Sequence, residues 1–386
     1  MIMRNVENVY KDGLCCSCGI CIGTCPVDAI SYDYDIEGFI KPVVSEKCIN
    51  CGKCESCCPG KEYYLKSEVA SIKYHTLYSK DNESRKNAAS GGLVTEMLCY
   101  LLKEKRVDYC VVIPTVKNSL RVKPIITDDI AEVKNASGSK YITVEYGVVI
   151  EEIKKNKDKK YAMVCLPCQE HAIKEYLGDN INRVWIITLM CNHVSGGTAT
   201  RYLLDKNGIS DDYEVKYRGN GWPGNMSIND KNIGGFRKLY SEEFGKYFFN
   251  FRCKLCDNHF GKESKITVGD PYYLTSETQG CSFCIVRDLE VEKVLQEMLK
   301  REIIGEVDVI LDSEKIEDAY RGIYVAENNI SMILKIRSIF LKKNPKGVPI
   351  FKRQKKSFKH IYLLLHMYWN KVISLKKSKK ISRGDL

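Results

Sequence analysis

The chain has 386 residues, of which 44% are hydrophobic and 19 are cysteine, and its formal net charge is +11. This composition suits a globular protein with a substantial core, and the length leaves room for a small domain beside a larger one. We expect no signal peptide ahead of the first cysteine and no membrane-spanning helix, because no run reaches about 18–20 apolar residues. The many cysteines are therefore expected to be thiols in the reducing cytoplasm.

Two copies of a C-x₂-C-x₂-C-x₃-C-P run open the chain. This run is the bacterial ferredoxin signature, in which three close thiolates hold three irons of a cubane and the fourth cysteine binds the other cluster. The prediction is two [4Fe–4S] clusters in a domain at residues 1–62. Their expected ligands are Cys15, Cys18, Cys21 and Cys58 for one cluster, and Cys48, Cys51, Cys54 and Cys25 for the other.

A disulfide-rich module and zinc knuckles are the alternative interpretations of these cysteines. Two matching four-cysteine runs argue against both alternatives. Cys16 and Cys57 lie outside the pattern and are interpreted as spare thiols. The first domain is thus expected to carry single electrons.

The next elements form a helix and then an alternating series. Ser90 is placed as the N-cap of a helix that begins at Leu93, since helical apolar spacing follows it. Strand, helix, strand and helix are then predicted at 161–165, 169–177, 184–190 and 197–204. This alternation argues for parallel strands with right-handed crossovers, and ligands bind such sheets beyond the carboxyl ends of the strands.

Five cysteines outside the two runs suggest a third metal site. They are Cys165, Cys168, Cys191, Cys253 and Cys256. A Cys₄ zinc site and incidental buried cysteines are the alternatives to another iron–sulfur cluster. Iron is favoured, because an electron relay gains nothing from redox-silent zinc. Cys281 and Cys284 form a further pair without an assigned role, for which incidental thiols are favoured over metal ligands.

Seven short motifs occur in a fixed order along the chain. They are Ala89-Ser-Gly-Gly92, Gly138-Ser-Lys-Tyr141, Leu166-Pro-Cys-Gln169, Cys191-Asn-His193, Gly221-Trp222, Cys253-x-x-Cys256 and Val268-Gly-Asp270. The ordered set resembles the family of coenzyme F420 hydrogenase/dehydrogenase beta subunits, here with a fused dicluster ferredoxin. The resemblance covers residues 12–60 and 74–320, and it departs from the family at Asn192 and His193, where His-Gly is common.

The resemblance implies an FAD cofactor and one more [4Fe–4S] cluster beside it. The family's cluster ligands correspond to Cys168, Cys191, Cys253 and Cys256, with Cys165 as an alternative to Cys168. The expected flavin contacts are Ser90, Gly91, Gly92, Ser139, Lys140 and Tyr141, and the candidate catalytic residues are Lys140 and His193. Free N–H groups at a helix start suit a pyrophosphate, whereas an ordinary helix cap and loop are the alternatives.

The basic charge is concentrated at the C-terminal end. Residues 342–386 hold 14 Lys/Arg and one Asp, and the apolar stretch 361–369 lies between lysine runs. This pattern fits a segment lying on an anionic membrane surface, with a nucleic-acid arm and a solvated or disordered end as alternatives. We expect no nucleic-acid partner.

The sequence therefore predicts an α/β protein, α+β overall. A dicluster ferredoxin domain at 1–62 precedes an α/β domain for FAD and iron–sulfur at 74–325 and a basic helical or disordered tail at 326–386. The expected function is a cytoplasmic oxidoreductase, peripheral at the inner membrane face if the tail binds lipid. It would pass electrons between a hydride carrier such as F420 and one-electron partners, either a redox protein or a soluble carrier. A non-catalytic electron-transfer subunit and a reductase for envelope polysaccharide synthesis are the alternatives.

Overall fold

The computed structural model describes residues 5–61, 73–323, 369–370 and 372–379. The strands are β1 (Ile30–Tyr34), β2 (Ile40–Val44), β3 (Lys73–Ser79), β4 (Tyr109–Val112), β5 (Val116–Lys117), β6 (Ile125–Thr127), β7 (Tyr161–Cys165), β8 (Val184–Leu189), β9 (Glu214–Lys216), β10 (Asn225–Ile228), β11 (Lys231–Gly235), β12 (Ile266–Gly269), β13 (Ser282–Val286) and β14 (Ile304–Glu306). The helices are α1 (Val6–Lys11), α2 (Ile20–Gly23), α3 (Lys53–Ser56), α4 (Asn82–Asn87), α5 (Leu93–Lys103), α6 (Ile130–Asn135), α7 (Gly147–Lys155), α8 (Pro167–Leu177), α9 (Gly197–Lys206), α10 (Phe236–Glu242), α11 (Phe244–Tyr247), α12 (Leu289–Lys300) and α13 (Ser313–Ala319), with 3₁₀ turns at Gly178–Arg183 and Phe251–Leu255.

An eight-stranded sheet forms the centre of the main domain. Its strand order is β14-β3-β13-β12-β8-β7-β4-β6. The neighbours β12, β8, β7 and β4 run parallel, and the outer pairings are antiparallel. The predicted alternation of strands and helices from 161 to 204 is confirmed, because β7 and β8 pair in parallel across α8.

The large sheet is covered on both faces. Alternate residues of β7 contribute to two different hydrophobic clusters, with Met163 on one side and Ala162 on the other. The Met163 side packs with α7 and α8, and the Ala162 side packs with α5 and α12. This arrangement agrees with buried parallel strands that are apolar on both faces.

A smaller antiparallel sheet, with strand order β11-β10-β9-β5, was not predicted. Its strands are two to five residues long, too short for an alternating pattern to stand out. With α10 and α11 it brings an aromatic group next to the large sheet. That group includes Phe236, Tyr240 and Phe244.

The N-terminal module consists of the β1–β2 hairpin and helices α1 to α3. Several hydrogen bonds join it to the main domain. The Tyr146 amide donates to the Cys18 carbonyl at 3.1 Å, and the Gly197 amide donates to the Gly38 carbonyl at 3.1 Å. The buried Arg252 guanidinium donates to the Pro59 and Gly60 carbonyls at 3.2 Å each. The module is therefore fixed to the main domain through the backbone around its cysteines.

Part of the tail is helical and contacts this body. The Ser374 hydroxyl, which is buried, donates to the Glu37 carboxylate at 2.8 Å. The predicted apolar stretch lies outside the described residues except for Trp369. Of the helices that the structure describes, none has the length and apolar content required to cross a bilayer.

Candidate cofactor site

The two cysteine runs fold into matching loops. Ser17 and Gly19 in the first run have φ of 60° and 70°, and Asn50 and Gly52 occupy the same places in the second run with φ of 54° and 76°. Glycine adopts this left-handed conformation without a steric penalty. Each loop then enters a one-turn helix that carries the third cysteine. The sequence repeat is thus also a repeat of backbone conformation.

The loops gather the cysteines around two small cavities. One cavity is bordered by Cys15, Cys18, Cys21 and Cys58, and also by Cys16, Cys54 and Cys57. The other is bordered by Cys25, Cys48, Cys51 and Cys54. The fourth cysteine of each run therefore lies with the first three of the other run. This grouping is that of the predicted ligand sets, and ligation itself stays a prediction.

Burial and mutual proximity dominate the electrostatics of these thiols. Burial raises the pKa of Cys21, and Cys18, Cys15 and Cys58 raise it further. The Ser17 amide donates to the Cys15 sulfur at 3.3 Å, and the Ala29 amide donates to the Cys25 sulfur at 3.2 Å. Crowded thiols with N–H donors aimed at sulfur suit an iron–sulfur cluster, whose irons stabilise thiolates and whose potential depends on such hydrogen bonds.

A third thiol group lies at the carboxyl edge of the large sheet. Burial raises the pKa of Cys191, and the nearby Cys253 and Cys256 raise it further. Hydrogen bonding to Cys16 and then burial raise the pKa of Cys168, and Cys191 also acts on it. Cys168 lies at the start of α8, Cys191 follows β8, and Cys253 and Cys256 lie in and just after the 3₁₀ turn at Phe251–Leu255. These three segments thus bring close to one another the four cysteines that the resemblance implied.

Cys165 lies beside this group. It is the last residue of β7, and besides burial its pKa is affected by Glu170 and by a hydrogen bond with Thr188. Cys165 and Cys168 both border the cavity at this edge of the sheet, so the choice between them as a ligand stays a prediction. Over the parts of the chain that the structure describes, no three His, Cys, Asp or Glu side chains are arranged as ligands of a single metal ion.

A cavity of about 620 Å³ lies beside the third thiol group. It is bordered by the carboxyl ends of β7, β8 and β12 and by the start of α5. Its size falls within the range of pockets that bind cofactors, and its place matches the ligand-binding edge of an open α/β sheet. All the predicted flavin contacts except Gly91 line it, namely Ser90, Gly92, Ser139, Lys140 and Tyr141.

The Ser90-Gly91-Gly92 segment differs from its prediction. Gly92, with a φ of 80°, is the N-cap of α5, so the assignment of Ser90 as the cap is wrong. The Ser90 and Ser282 hydroxyls hydrogen-bond at 2.9 Å, and the Gly91 amide donates to Ser282 Oγ at 3.1 Å. The Gly91 N–H group is thus committed to β13, and an anion at this edge would have to use the following amides of the first helical turn.

Lys140 is held by its own loop. Its ammonium donates to the carbonyl oxygens of Ala136, Ser137 and Gly138 at 2.5, 3.1 and 3.0 Å. An ammonium has three donors, so these contacts use them all. Burial lowers its pKa to about 7. These contacts fix the 136–140 loop, and a catalytic role for Lys140 stays a prediction.

His193 and Tyr141 lie in the aromatic wall of the cavity. The His193 ring stacks on Tyr240 at a centroid distance of 5.0 Å, and its Nε2 is 2.8 Å from the Tyr240 hydroxyl. Burial, then Lys254 and His259, lower the pKa of His193 to about 3, so the ring is neutral near pH 7. Tyr141 stacks on Phe236 at 4.8 Å. A catalytic role for His193 stays a prediction and would concern its neutral form.

Arg218 and Asp270 form a buried pair that sequence reasoning missed. The guanidinium donates twice to the carboxylate, at 2.7 and 3.0 Å, and the Trp222 indole N–H donates to the same carboxylate at 2.9 Å. All three residues line the large cavity. The Gly-Trp and Val-Gly-Asp motifs thus meet through one hydrogen bond. The presence of both motifs in the sequence could have indicated that Trp222 and Asp270 belong to one site. Neither motif contains Arg218, so the sequence did not indicate its role.

Two sequence profiles of one family match the chain. The profile for the N-terminal part of the coenzyme F420 hydrogenase/dehydrogenase beta subunit matches residues 74–151, and the profile for the C-terminal part of that beta subunit matches residues 158–310. Together these matches cover more than half of the chain and lie within the main domain.

Curated relatives are similar over parts of their length. A subunit of the F(420)H(2) dehydrogenase of Methanosarcina mazei is 25% identical over 197 residues, which are 48% of this chain and 55% of that protein. The coenzyme F420-dependent sulfite reductase of Methanocaldococcus jannaschii is 21% identical over 319 residues, or 75% of this chain and 46% of that protein. The chain thus spans about half the length of these two relatives.

A solved structure shares the fold. A chain of the F420-reducing [NiFe] hydrogenase complex from Methanosarcina barkeri superposes with a TM-score of 0.54 and 14% identity, covering 71% of this chain and 95% of that one. The α/β architecture predicted from sequence is therefore confirmed. On the two profile matches, the chain belongs to the family of coenzyme F420 hydrogenase/dehydrogenase beta subunits.

Proposed function

We propose that the protein is an iron–sulfur flavoprotein oxidoreductase that links a hydride carrier to a one-electron partner protein. The observation that carries this proposal is the succession of three thiol groups between the large cavity and the surface. Cys16 borders both the large cavity and the first ferredoxin cavity, and Cys54 borders both ferredoxin cavities. The sites are therefore contiguous.

The residues fit the proposed cofactors. Three groups of four cysteines would hold three [4Fe–4S] clusters, and the cavity at the sheet edge would hold FAD. When bound, a flavin exchanges hydrides as well as single electrons, and the clusters carry single electrons. The chain's part is to place these groups next to one another. The first turn of α5 and the 136–140 loop form the cavity wall that would contact the flavin.

The carrier is proposed to be coenzyme F420 or a related soluble hydride carrier. Support comes from the two relatives whose names refer to F420 and from the family's description. Tyr272 and Tyr273 line the large cavity and are exposed, so planar rings border its opening. Such rings suit the stacking of a flat heteroaromatic carrier.

The partner protein would contact the second ferredoxin site. Cys51 is exposed there, and Ile49, which borders the same cavity, keeps 61% of its surface exposed. An exposed cysteine ligand beside an apolar side chain would let a partner protein dock at a short electron-transfer distance from a cluster at this site. We place this exchange in the cytoplasm, because cluster ligands must be thiolates and the cytoplasm keeps thiols reduced.

A membrane surface is a second proposed partner, favoured by the helical tail segment. Its polar residues Ser374 and Ser378 are buried, Ser374 through its hydrogen bond to Glu37, whereas Trp369, Val372 and Leu375 are 63%, 42% and 37% exposed. An amphipathic helix normally buries its apolar side. Exposed apolar residues in a tail with 14 Lys/Arg and one Asp fit an anionic lipid surface.

Cofactor analysis tests the proposed enzyme. We expect anaerobically purified protein to contain about twelve iron atoms and one FAD per chain, counting four irons per cluster. F420, NADH and NADPH are then screened as reductants of the bound flavin by following its visible absorbance. Full iron without flavin would contradict the enzyme and support a non-catalytic electron-transfer subunit.

A further inference from the structure

Arg237 is a cation in the wall of the large cavity. Its side chain is exposed, and the charged side chains that border the same cavity are Lys140, Arg218 and Asp270. Lys140 donates to three carbonyl oxygens, and Arg218 and Asp270 pair with each other. In the described part of the chain, Arg237 is thus the charged side chain of this wall whose N–H groups have no protein acceptor.

The Trp222 ring holds the Arg237 guanidinium in place. The guanidinium carbon lies 4.8 Å from the centre of that ring. The ring is itself fixed, because its indole N–H donates to Asp270 at 2.9 Å. A guanidinium over an aromatic face is held by cation–π attraction, and its paired N–H donors at the edge match a carboxylate or a phosphate. Arg237 is therefore a pre-positioned group for binding an anion at the cavity.

The position of Arg237 favours the hydride carrier over the bound flavin as the source of that anion. The first turn of α5 and the 136–140 loop form the wall proposed to contact the flavin. Arg237 is instead exposed, as are Tyr272 and Tyr273, whose rings border the opening of the cavity. A soluble carrier approaches from solvent, so its charged side chain can stay near the surface while its ring enters.

We propose that Arg237 binds an anionic group, a phosphate or a carboxylate, in the side chain of the hydride carrier. This inference rests on the proposed function, since it presumes a carrier that docks at this cavity. Arg237 then determines specificity, because it favours carriers with a charged side chain over neutral compounds with the same ring. The contact contributes affinity and orients the ring, and it takes no part in the transfer of the hydride.

The test compares two ligands on the full-length, flavin-loaded protein. F420 carries phosphate and carboxylate groups, whereas 5-deazariboflavin has the same type of ring without a charged side chain. The fluorescence of each ligand during titration with protein gives its Kd. Arg237→Gln should weaken F420 binding about tenfold, because a charge-assisted paired contact is lost, and leave the Kd of 5-deazariboflavin unchanged. Arg237→Lys should lie between, since it keeps the charge without the fork.

Lys238→Gln is the matched control. Lys238 is the next residue of α10, is exposed and does not border the cavity, so this variant loses the same charge from the same helix. It should keep the wild-type Kd for F420. Equal weakening in both glutamine variants would overturn the proposal, because overall charge alone would then account for the effect.

Two other outcomes would overturn the assignment of Arg237. One is a wild-type Kd for F420 in Arg237→Gln. The other is loss of bound flavin from that variant, because Arg237 would then hold the flavin rather than the carrier. Failure of the proposed carrier is read on the unmodified protein instead, since wild type would bind neither deazaflavin, and this inference would fall with it.

Discussion

The Arg218–Asp270 pair shows how a single contact holds the cavity wall. Arg218 joins two separate segments, because it donates to Asp270 after β12 and to the Pro223 carbonyl at 3.1 Å. Its guanidinium also lies 4.7 Å from the centre of the Phe236 ring. The side chain is 3% exposed, so its charge depends on the Asp270 carboxylate for compensation. Removing that charge should therefore be costly.

Asp270→Asn should lower the free energy of unfolding by about 2 kcal/mol, since it leaves a buried guanidinium without its counter-charge while Asp270 itself is partly accessible. Chemical denaturation followed by circular dichroism measures the change. Asp230→Asn is the control, because Asp230 pairs with Lys216 on the surface and should show no measurable loss. Equal stability of the two variants would contradict this account.

Site residues could be predicted from the sequence where their spacing along the chain is short and regular. The first three cysteines of each run lie within seven residues, so their grouping follows from local loop geometry. Arg218 and Asp270 are 52 residues apart, and Cys16 and Cys168 are 152 apart. No sequence pattern predicts contacts between residues this far apart, since such contacts depend on how the strands and the N-terminal module pack.

At the scale of elements, the two cysteine loops are interdependent. Each loop contributes three cysteines to one cavity and its fourth cysteine to the other cavity. Neither loop would complete a four-cysteine set alone. The N-terminal module is thus expected to assemble its two clusters together rather than one after the other.

This exchange can be tested at neighbouring cysteines. Cys58→Ala should lose about four irons, because it removes the fourth ligand of the first cluster. Cys57→Ala is a closely matched control, since Cys57 is buried beside it and its thiol donates to the Cys54 carbonyl at 3.7 Å. Iron and acid-labile sulfide are measured after anaerobic purification. The same iron content in both variants would contradict the ligand assignment.

The predicted elements were most accurate where periodicity was long. The helix expected at 169–177 is part of α8, which ends at the expected residue and begins two residues earlier, since Gln169, Ile173 and Leu177 recur as buried residues at helical spacing along it. The strand expected at 184–190 is β8, one residue shorter. The start of α5 was misjudged, because Gly92 adopts the left-handed conformation there and the preceding serine pairs with β13 instead.

At the scale of the whole molecule, one residue of the N-terminal module connects all three parts of the chain. The carbonyl of Glu37 accepts a hydrogen bond from the Thr198 hydroxyl of the main domain, and its carboxylate accepts one from Ser374 of the tail. Lys377 of the tail lies over the rings of Tyr202 and Tyr247 at 4.5 and 4.7 Å. The tail helix thus spans the junction between module and main domain.

This placement makes the membrane proposal testable in the full chain. Replacing Trp369, Val372 and Leu375 by serine should abolish sedimentation with vesicles that contain anionic lipid, because the exposed apolar side chains are removed while the buried polar face remains. Vesicles of neutral lipid and high salt should weaken binding of the wild type. Wild-type protein that ignores anionic vesicles at low salt would refute the proposal.

The exposure of Cys51 has a further consequence for oxidative damage to the protein in air. Susceptibility of cysteine sulfur to oxidation follows its accessibility. The second site has an exposed cysteine and two partly exposed ones, whereas none of the four cysteines of the third site is fully exposed. A cluster bound at the second site would therefore be the first that dioxygen reaches, and it would decay before clusters at the other two sites. Damage would disconnect the protein from its partner while leaving the chemistry of the inner cavity intact.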